Sequence, residues 1–260
     1  MVDFLTLCEQ AARAGGQALL EWIGRFEVRE KGPSDLVTEA DLASQEAIRH
    51  VLQSAFPSHG FISEESDGVN TGAEYCWVVD PLDGTTNYVH QISHYAVSVA
   101  LLQHGRPLVG IIFDPVQEEL FSAARGQGAY LNGRPIGTTG VSELAQALVA
   151  ASFSARVPAG SPEIDQFVAA LLRCQAIRRT GSAALNLAYV ASGRFDAFWA
   201  MSTKAWDVAA GVLLVEEAGG VVTLLNGDLF DLRVPHPVAS ANNRLHAQIL
   251  KLLQNATRTK

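Results

Sequence analysis

The chain has 260 residues, 48% of them hydrophobic and 18% charged, with a formal net charge of −8. This composition supports a sizeable core and excludes long disorder, and the acidic balance argues against nucleic acid or an anionic membrane as partner. Cys8, Cys76 and Cys174 fall at no CxxC spacing, Met1 to Phe4 form no basic-then-apolar leader, and apolar runs reach about eight residues against the roughly 20 that a bilayer needs; the expectation is a cytoplasmic chain without disulfides or a membrane span.

In chain order, Phe4, Cys8, Ala11, Gly15, Leu19 and Trp22 recur at helical spacing and predict an amphipathic helix over 3–23. A polar loop, 31–35, follows. Thr38 and Asp41 open a second helix to about Ala55, and Thr38-Glu39-Ala40-Asp41 is close to a capping box. Strands are expected at 60–63, 75–79, 95–103, 108–113, 119–124 and 128–131. His104-Gly105-Arg106-Pro107 has a turn composition, and Asn132-Gly133 is a type I′ hairpin signal. This half reads as helices on a largely antiparallel sheet.

The second half alternates strands at 148–151, 176–179, 197–200, 221–225 and 238–241 with helices at 162–174, 182–192, 206–218 and 245–255, an α/β pattern. The junction falls near 140–148. The expectation is one domain over 1–260, with an α+β lobe over about 1–142 and an α/β lobe over about 143–260. No internal repeat or long linker interrupts it.

The densest chemistry lies at Asp80-Pro81-Leu82-Asp83-Gly84-Thr85-Thr86-Asn87, directly after an apolar strand. Two carboxylates three residues apart, with a backbone carbonyl between them, can converge on hard cations such as magnesium. Gly84 lets backbone approach a ligand closely, and Thr85-Thr86 would open a short helix whose free amides suit a phosphate. The bland alternative for Asp83-Gly84-Thr85 is a turn and a cap. Pro81 stands two residues before Asp83, so the Asp-x-Asp spacing of phosphatases with a covalent aspartyl nucleophile is absent. Glu64-Glu65 after a short strand, Asp207 at a helix start, and Asp41 are the other candidate acids. Each has an ordinary alternative: a solvated surface pair, a helix-dipole acid and a capping residue. None of the seven histidines shows metal-ligand spacing.

Residues 77–90, Trp77-Val78-Val79-Asp80-Pro81-Leu82-Asp83-Gly84-Thr85-Thr86-Asn87-Tyr88-Val89-His90, resemble the first signature of the inositol monophosphatase family. Trp206-Asp207-Val208-Ala209-Ala210-Gly211, running on to Glu217-Ala218-Gly219-Gly220, is similar to its second. Lys31 with Asp35-Leu36-Val37-Thr38 and Asp41 resembles the family's N-terminal loop, Ser63-Glu64-Glu65-Ser66 its Gly-Glu-Glu segment, and Gly126-Gln127-Gly128-Ala129 with Asn132-Gly133 its central hairpin. The likeness spans nearly the whole chain. It implies a layered αβαβα sandwich of the sugar-phosphatase type, a homodimer, two to three Mg2+ per site and inhibition by lithium. It implies Glu64, Asp80 and the Leu82 carbonyl at a first metal, Asp80, Asp83 and Asp207 at a second, and a looser third leaning on Glu64. Thr85 paired with Asp41 would orient and deprotonate the attacking water. Asp83, Gly84, Thr85, Gly181, Ser182, Ala183 and Asp207 would contact the substrate, a small phosphorylated polyol or sugar.

Substrate choice is more open. Family members specific for inositol carry a Glu six to seven residues before the second-signature Asp; counting back from Asp207 reaches Ala200, which accepts no hydrogen bond. The same chemistry on histidinol phosphate, fructose 1,6-bisphosphate or a nucleotide bisphosphate therefore stays open. So does a catalytically silent binding protein, although Glu64, Asp80, Asp83, Thr85, Asp207 and Asp41 are all present. Lys204 stands near the expected entrance, as a second-anion contact or a solvated surface lysine.

Overall fold

A computed structural model describes residues 3–32, 35–154 and 156–257, with side chains placed for all of these except 28–32, 35–36, 66–67 and 257. Asp3 caps α1 (Phe4–Trp22) by accepting the Leu5 amide at 3.1 Å. The expected polar loop lies inside a hairpin of β1 (Val28–Gly32) and β2 (Asp35–Thr38). Its charged stretch carries no apolar alternation, so pattern alone did not disclose the pairing. Pro33 and Ser34, and the side chains of Lys31 and Asp35, lie outside the described residues.

Thr38 caps α2 (Glu39–Ala55) as its sequence predicts. The Ala40 amide donates to Thr38 Oγ1 at 3.1 Å and the Thr38 amide to Asp41 Oδ2 at 2.8 Å, the two halves of a capping box.

The next strands are β3 (Gly60–Ser63), β4 (Ser66–Val69), β5 (Tyr75–Asp83), β6 (Ala96–Gln103), β7 (Arg106–Asp114), β8 (Glu119–Ala124), β9 (Ala129–Leu131) and β10 (Arg134–Ile136), with the short helix α3 (Thr85–Val89) after β5. They form an eight-stranded sheet in the order β10-β9-β8-β7-β6-β5-β3-β4. Every pairing is antiparallel except β3 with β5. Two tight turns set the register. His104 and Gly105 have φ of 49° and 77°, Asn132 and Gly133 of 48° and 74°, positive at both central positions as a type I′ turn requires.

The remaining elements are β11 (Leu148–Ser152), α4 (Pro162–Arg173), β12 (Ala176–Arg178), α5 (Ala183–Ala191), β13 (Ala197–Ala200), α6 (Ala205–Glu217), β14 (Val221–Thr223), β15 (Val238–Ser240) and α7 (Asn243–Thr257). The second sheet runs β12-β11-β13-β15-β14, its first three strands parallel and β15 antiparallel to both neighbours. Helices α1 and α2 cover one face of the large sheet, α5 and α6 lie between the sheets, and α4 and α7 cover the small sheet's outer face. The result is the expected αβαβα sandwich.

Alternation along β5 serves two of these cores. Trp77 and Val79 pack towards α1 and α2, and Val78 packs towards α5 and α6. Small residues set the middle layer's depth. A Cβ on Gly110 of β7 would come within 2.8 Å of Ala210 Cα, and one on Gly211 within 2.5 Å of Leu187 Cβ. These approaches draw α6 onto the large sheet and bring its N-terminus to the end of β5.

Candidate active site

Strand β5 continues past Asp80 to Asp83, and its register against β6 shifts between those two residues. Proline donates no ladder hydrogen bond, which suits Pro81 to an irregularity. Its carbonyl instead accepts the Ser44 hydroxyl at 2.8 Å. Gly84 then takes φ 104° and caps α3; a Cβ there would meet the His94 carbonyl at 3.1 Å. Asp80, Leu82, Asp83, Gly84 and Thr85 all line one cleft of about 490 Å3, together with Glu64 after β3 and Asp207 in the first turn of α6.

Asp80 is 2% exposed, and its Oδ1 accepts the Leu82 amide at 3.0 Å. Burial, then the charges of Glu64, Asp83 and Asp207, hold its carboxyl well above the usual range. Asp207 Oδ2 accepts the Lys204 amide at 2.8 Å. Burial and then the charge of Asp83 push its carboxyl up to about 8, against the pull of that amide.

Asp83 is pushed up to about 6 by burial, opposed by three donors. Ser182 Oγ donates to Oδ2 at 2.5 Å, the Ala184 amide to Oδ2 at 2.7 Å and the Ala183 amide to Oδ1 at 3.3 Å. A carboxylate offers about four lone-pair sites, so three are taken from behind and one is left towards the cleft. Asp83 and Asp207 keep some surface on that cleft, yet the atoms packed around them desolvate both carboxylates.

Four acids from three segments therefore converge in one cleft, where the charges of Glu64 and Asp83 disfavour ionisation of both Asp80 and Asp207. Oxygen-only, carboxylate-rich donors suit a hard divalent cation. Among the described residues no three His, Cys, Asp or Glu side chains close into a ready-made cage. An open set of this kind fits magnesium, which keeps several waters and shares its remaining positions with substrate phosphate.

Asp41 is 1% exposed, its Oδ2 held by the Thr38 hydroxyl at 2.7 Å as well as by the capping amide. Its Oδ1 faces Thr85 Oγ1 at 3.5 Å, while that hydroxyl donates to the Leu82 carbonyl at 3.1 Å. The capping acid of α2 and the first residue of α3 thus meet beside the carboxylates.

Gly181 and Ala183 line the cleft's far wall, whereas Ser182 is fully buried behind Asp83 and also caps α5 through the Leu185 amide at 3.1 Å. Gly181 has φ 94°, and a Cβ there would stand 2.7 Å from Asn87 Nδ2. That amide bridges the His94 carbonyl at 2.7 Å and the Thr180 carbonyl at 2.8 Å, tying α3 to the wall.

Ala200 is 2% exposed and does not line the cleft. It borders a second cavity of about 570 Å3 beyond β13, walled mainly by Trp199, Met201, Leu224, Leu225 and Val238 and containing no carboxylate. Ser202 and Thr203 form the carboxylate cleft's wall instead, facing Ser152, Phe153, Ser154 and Arg179. Sequence pattern singled out none of these residues. They lie at or just after the C-terminal ends of β11, β12 and β13, where open parallel sheets place ligands, and that rule was the available signal.

The model of the inositol monophosphatase family matches residues 2–258. The chain is 40% identical over 263 residues to the Nus factor SuhB of Pseudomonas aeruginosa, covering 98% of this chain and 97% of that one. It is 38% identical over 258 residues to the inositol-1-monophosphatase of Caulobacter vibrioides, covering 95% and 99%. Its fold matches the crystal structure of the extragenic suppressor protein SuhB from Bartonella henselae with a TM-score of 0.92, at 36% identity and over 96% and 97% of the two chains.

Proposed function

The chain belongs to the inositol monophosphatase family, and from that premise we propose that it is a magnesium-dependent phosphatase acting on myo-inositol monophosphate or a related polyol or sugar monophosphate. The observation that carries this reading is the convergence of Glu64, Asp80, Asp83 and Asp207 in one cleft, with Asp80, Asp83 and Asp207 all raised in pKa. Those acids and the Leu82 carbonyl would hold two to three Mg2+. When bound, the ions lower the pKa of water and offset the negative charge of phosphate and carboxylates alike.

The chain's own groups do the rest. Asp41 and Thr85 orient the attacking water and take up its proton. The amides of Gly84 and Thr85 receive phosphate oxygens. Ser182, from behind, keeps Asp83 ionised and aimed at the cleft. A water oxygen bonds to phosphorus as the phosphorus–oxygen ester bond breaks, the leaving alkoxide takes a proton from a solvent water to depart as the alcohol, the proton held by Asp41 returns to solvent, and no covalent phosphoenzyme forms. Lithium inhibition, a homodimer of two-lobed single-domain chains and a cytoplasmic location belong to the same reading.

Phosphate release from inositol monophosphate, histidinol phosphate, fructose 1,6-bisphosphate and a nucleotide bisphosphate, with Mg2+ and with or without Li+ or a chelator, tests it. Release that requires Mg2+ and ranks the monophosphates first is the expected result. No Mg2+-dependent release from any of them would sink the phosphatase assignment. A second reading follows from the Pseudomonas relative, named a Nus factor: a role exercised through binding. Asp83→Asn separates the two, because a binding role survives loss of turnover.

A further inference from the structure

The cavity of about 570 Å3 beyond β13 is separate from the carboxylate cleft, although one stretch of chain helps to wall both. Trp199, Ala200 and Met201 border the cavity, and Ser202 and Thr203 border the cleft. Thr203 donates its hydroxyl to the Pro235 carbonyl, and the residues on either side of that proline, Val234 and His236, line the cavity. This holds the outer wall in place against β13.

Two polar side chains bordering the cavity have no partner among the described residues. Gln166 of α4 is fully buried, and neither its Oε1 nor its Nε2 makes a hydrogen bond. His236 Nδ1 is equally unsatisfied. A buried polar group left unpaired is costly, and Glu163, nearly one turn earlier on α4, shows the usual remedy: it accepts the Ser154 amide at 3.1 Å and the Ser154 hydroxyl at 3.0 Å. The cavity walls are otherwise mainly apolar, and among the described residues no Asp, Glu, Lys or Arg lines them.

These features select an occupant. A charged ligand would find no counter-ion there, and waters would be short of the several polar partners that hold a buried water. A primary amide offers a donor and an acceptor side by side in one plane, so one group satisfies both at once: an N–H beside a C=O in the same ring. We propose that this cavity binds an uncharged planar heterocycle with a lactam edge, the chemistry of a uracil or hypoxanthine ring, through paired hydrogen bonds to Gln166 between apolar walls. The Gln166 amide lies beneath the wall, and rotation about its side-chain torsions brings the pair of groups into the cavity. His236 Nδ1 then serves a hydroxyl on the ring's substituent. A volume of about 570 Å3 is within the range of small-ligand sites. This inference is independent of the phosphatase reading, because it uses none of the cleft's residues.

Calorimetric titration with uridine and with inosine, each against its ring N-methyl form (3-methyluridine and 1-methylinosine), tests the site. At least one of the two nucleosides should bind at one site per chain, and methylation of its ring N–H should weaken binding about tenfold or more. Gln166→Leu exchanges an unsatisfied amide for an apolar group of similar size and should fold as the wild type does. It is expected to weaken the parent nucleoside by about the same factor and to remove the preference over the methylated form. Val234→Trp adds bulk at a rim position that is 46% exposed and should abolish binding. Asp83→Asn should bind as the wild type does, with or without Mg2+, and UMP should bind no more tightly than uridine. Binding of neither nucleoside overturns the site, as does wild-type binding by both Gln166→Leu and Val234→Trp. Equal binding of parent and methylated forms overturns the lactam recognition, tighter binding of UMP overturns the preference for an uncharged ligand, and binding lost in Asp83→Asn overturns the site by placing the ligand in the cleft.

Discussion

Ser182→Ala probes the support of Asp83 without touching the cleft wall. The hydroxyl has two partners: it donates to Asp83 Oδ2 at 2.5 Å and accepts the Leu185 amide at 3.1 Å as the cap of α5. Losing a cap typically costs about 1 kcal/mol and losing a hydrogen bond to a charged group about 1.5–3 kcal/mol. Asp83 keeps the Ala183 and Ala184 amides, and its cleft side can recruit water, so the combined loss should be about 1–2 kcal/mol. For a chain of this size that lowers Tm by about 2–8 °C. The electrostatic consequence has a definite sign. The Ser182 hydrogen bond pulls down a carboxyl that burial has pushed to about 6; without it the pKa rises further and the proton competes longer with the cation. Half-saturation by Mg2+ should therefore move to higher concentration, and by more at about pH 6.5 than at about pH 8, where even a raised carboxyl is largely ionised. The assays are thermal unfolding and Mg2+ titrations of phosphate release at the two pH values. A variant with wild-type Mg2+ dependence at both would refute the assignment of Ser182 as the group that holds Asp83 ionised.

Asp83→Asn should cut turnover by orders of magnitude, because it removes a metal-directed charge and offers one acceptor where both Asp83 oxygens accept; steady-state rates with saturating Mg2+ near wild type would contradict the metal role. Thr85→Val keeps the shape of α3 and removes the hydroxyl beside Asp41, so kcat should fall about a hundredfold or more with little change in Tm, and an unaltered kcat would take Thr85 out of the proton path. Gly181→Ala forces a side chain onto φ 94° and to within 2.7 Å of Asn87 Nδ2, a strain of about 1–3 kcal/mol that should appear as a lower Tm together with a higher KM. In metal-free protein, Asp83 at about 6 and Asp207 at about 8 lie above the ordinary carboxylate value of 3.8. The folded chain then binds more protons than the unfolded one between about pH 4 and pH 8, and its stability falls as pH rises through that window. Added Mg2+ should raise Tm more at about pH 8 than at about pH 5; an equal or reversed increment would mean that the carboxylates are not the metal's proton-linked ligands.

Much of this fold is written locally. The capping box at Thr38 and Asp41, the α3 start after Gly84 and the I′ turn at Asn132-Gly133 depend on residues within a few positions of one another, so propensity and spacing expose them. Strand β13 runs over 197–200 as its apolar pattern predicts. The hairpin of β1 and β2 escaped because its charged residues carry no period-two apolar signal, and Asp80 to Asp83 looked like a strand exit because an irregular register can be seen only against β6.

The site divides along the same line. Asp80, Asp83, Gly84 and Thr85 are neighbours in sequence, and their chemistry was legible as a unit. That Glu64 shares their cleft follows from the parallel pairing of β3 with β5, and that Asp207 does so depends on how deeply α6 sinks onto the large sheet, which the contact of Gly110 with Ala210 sets. Packing also turned Ser182 behind Asp83, placed Ala200 against a different cavity, and set Arg179 on Phe153 inside an otherwise acidic cleft. Sequence by itself determined which carboxylates, glycines and hydroxyls this protein brings to the candidate site, because those choices are local. Only the tertiary structure decided which of them face one another, because that follows from the depth and direction of packing between layers far apart in the chain.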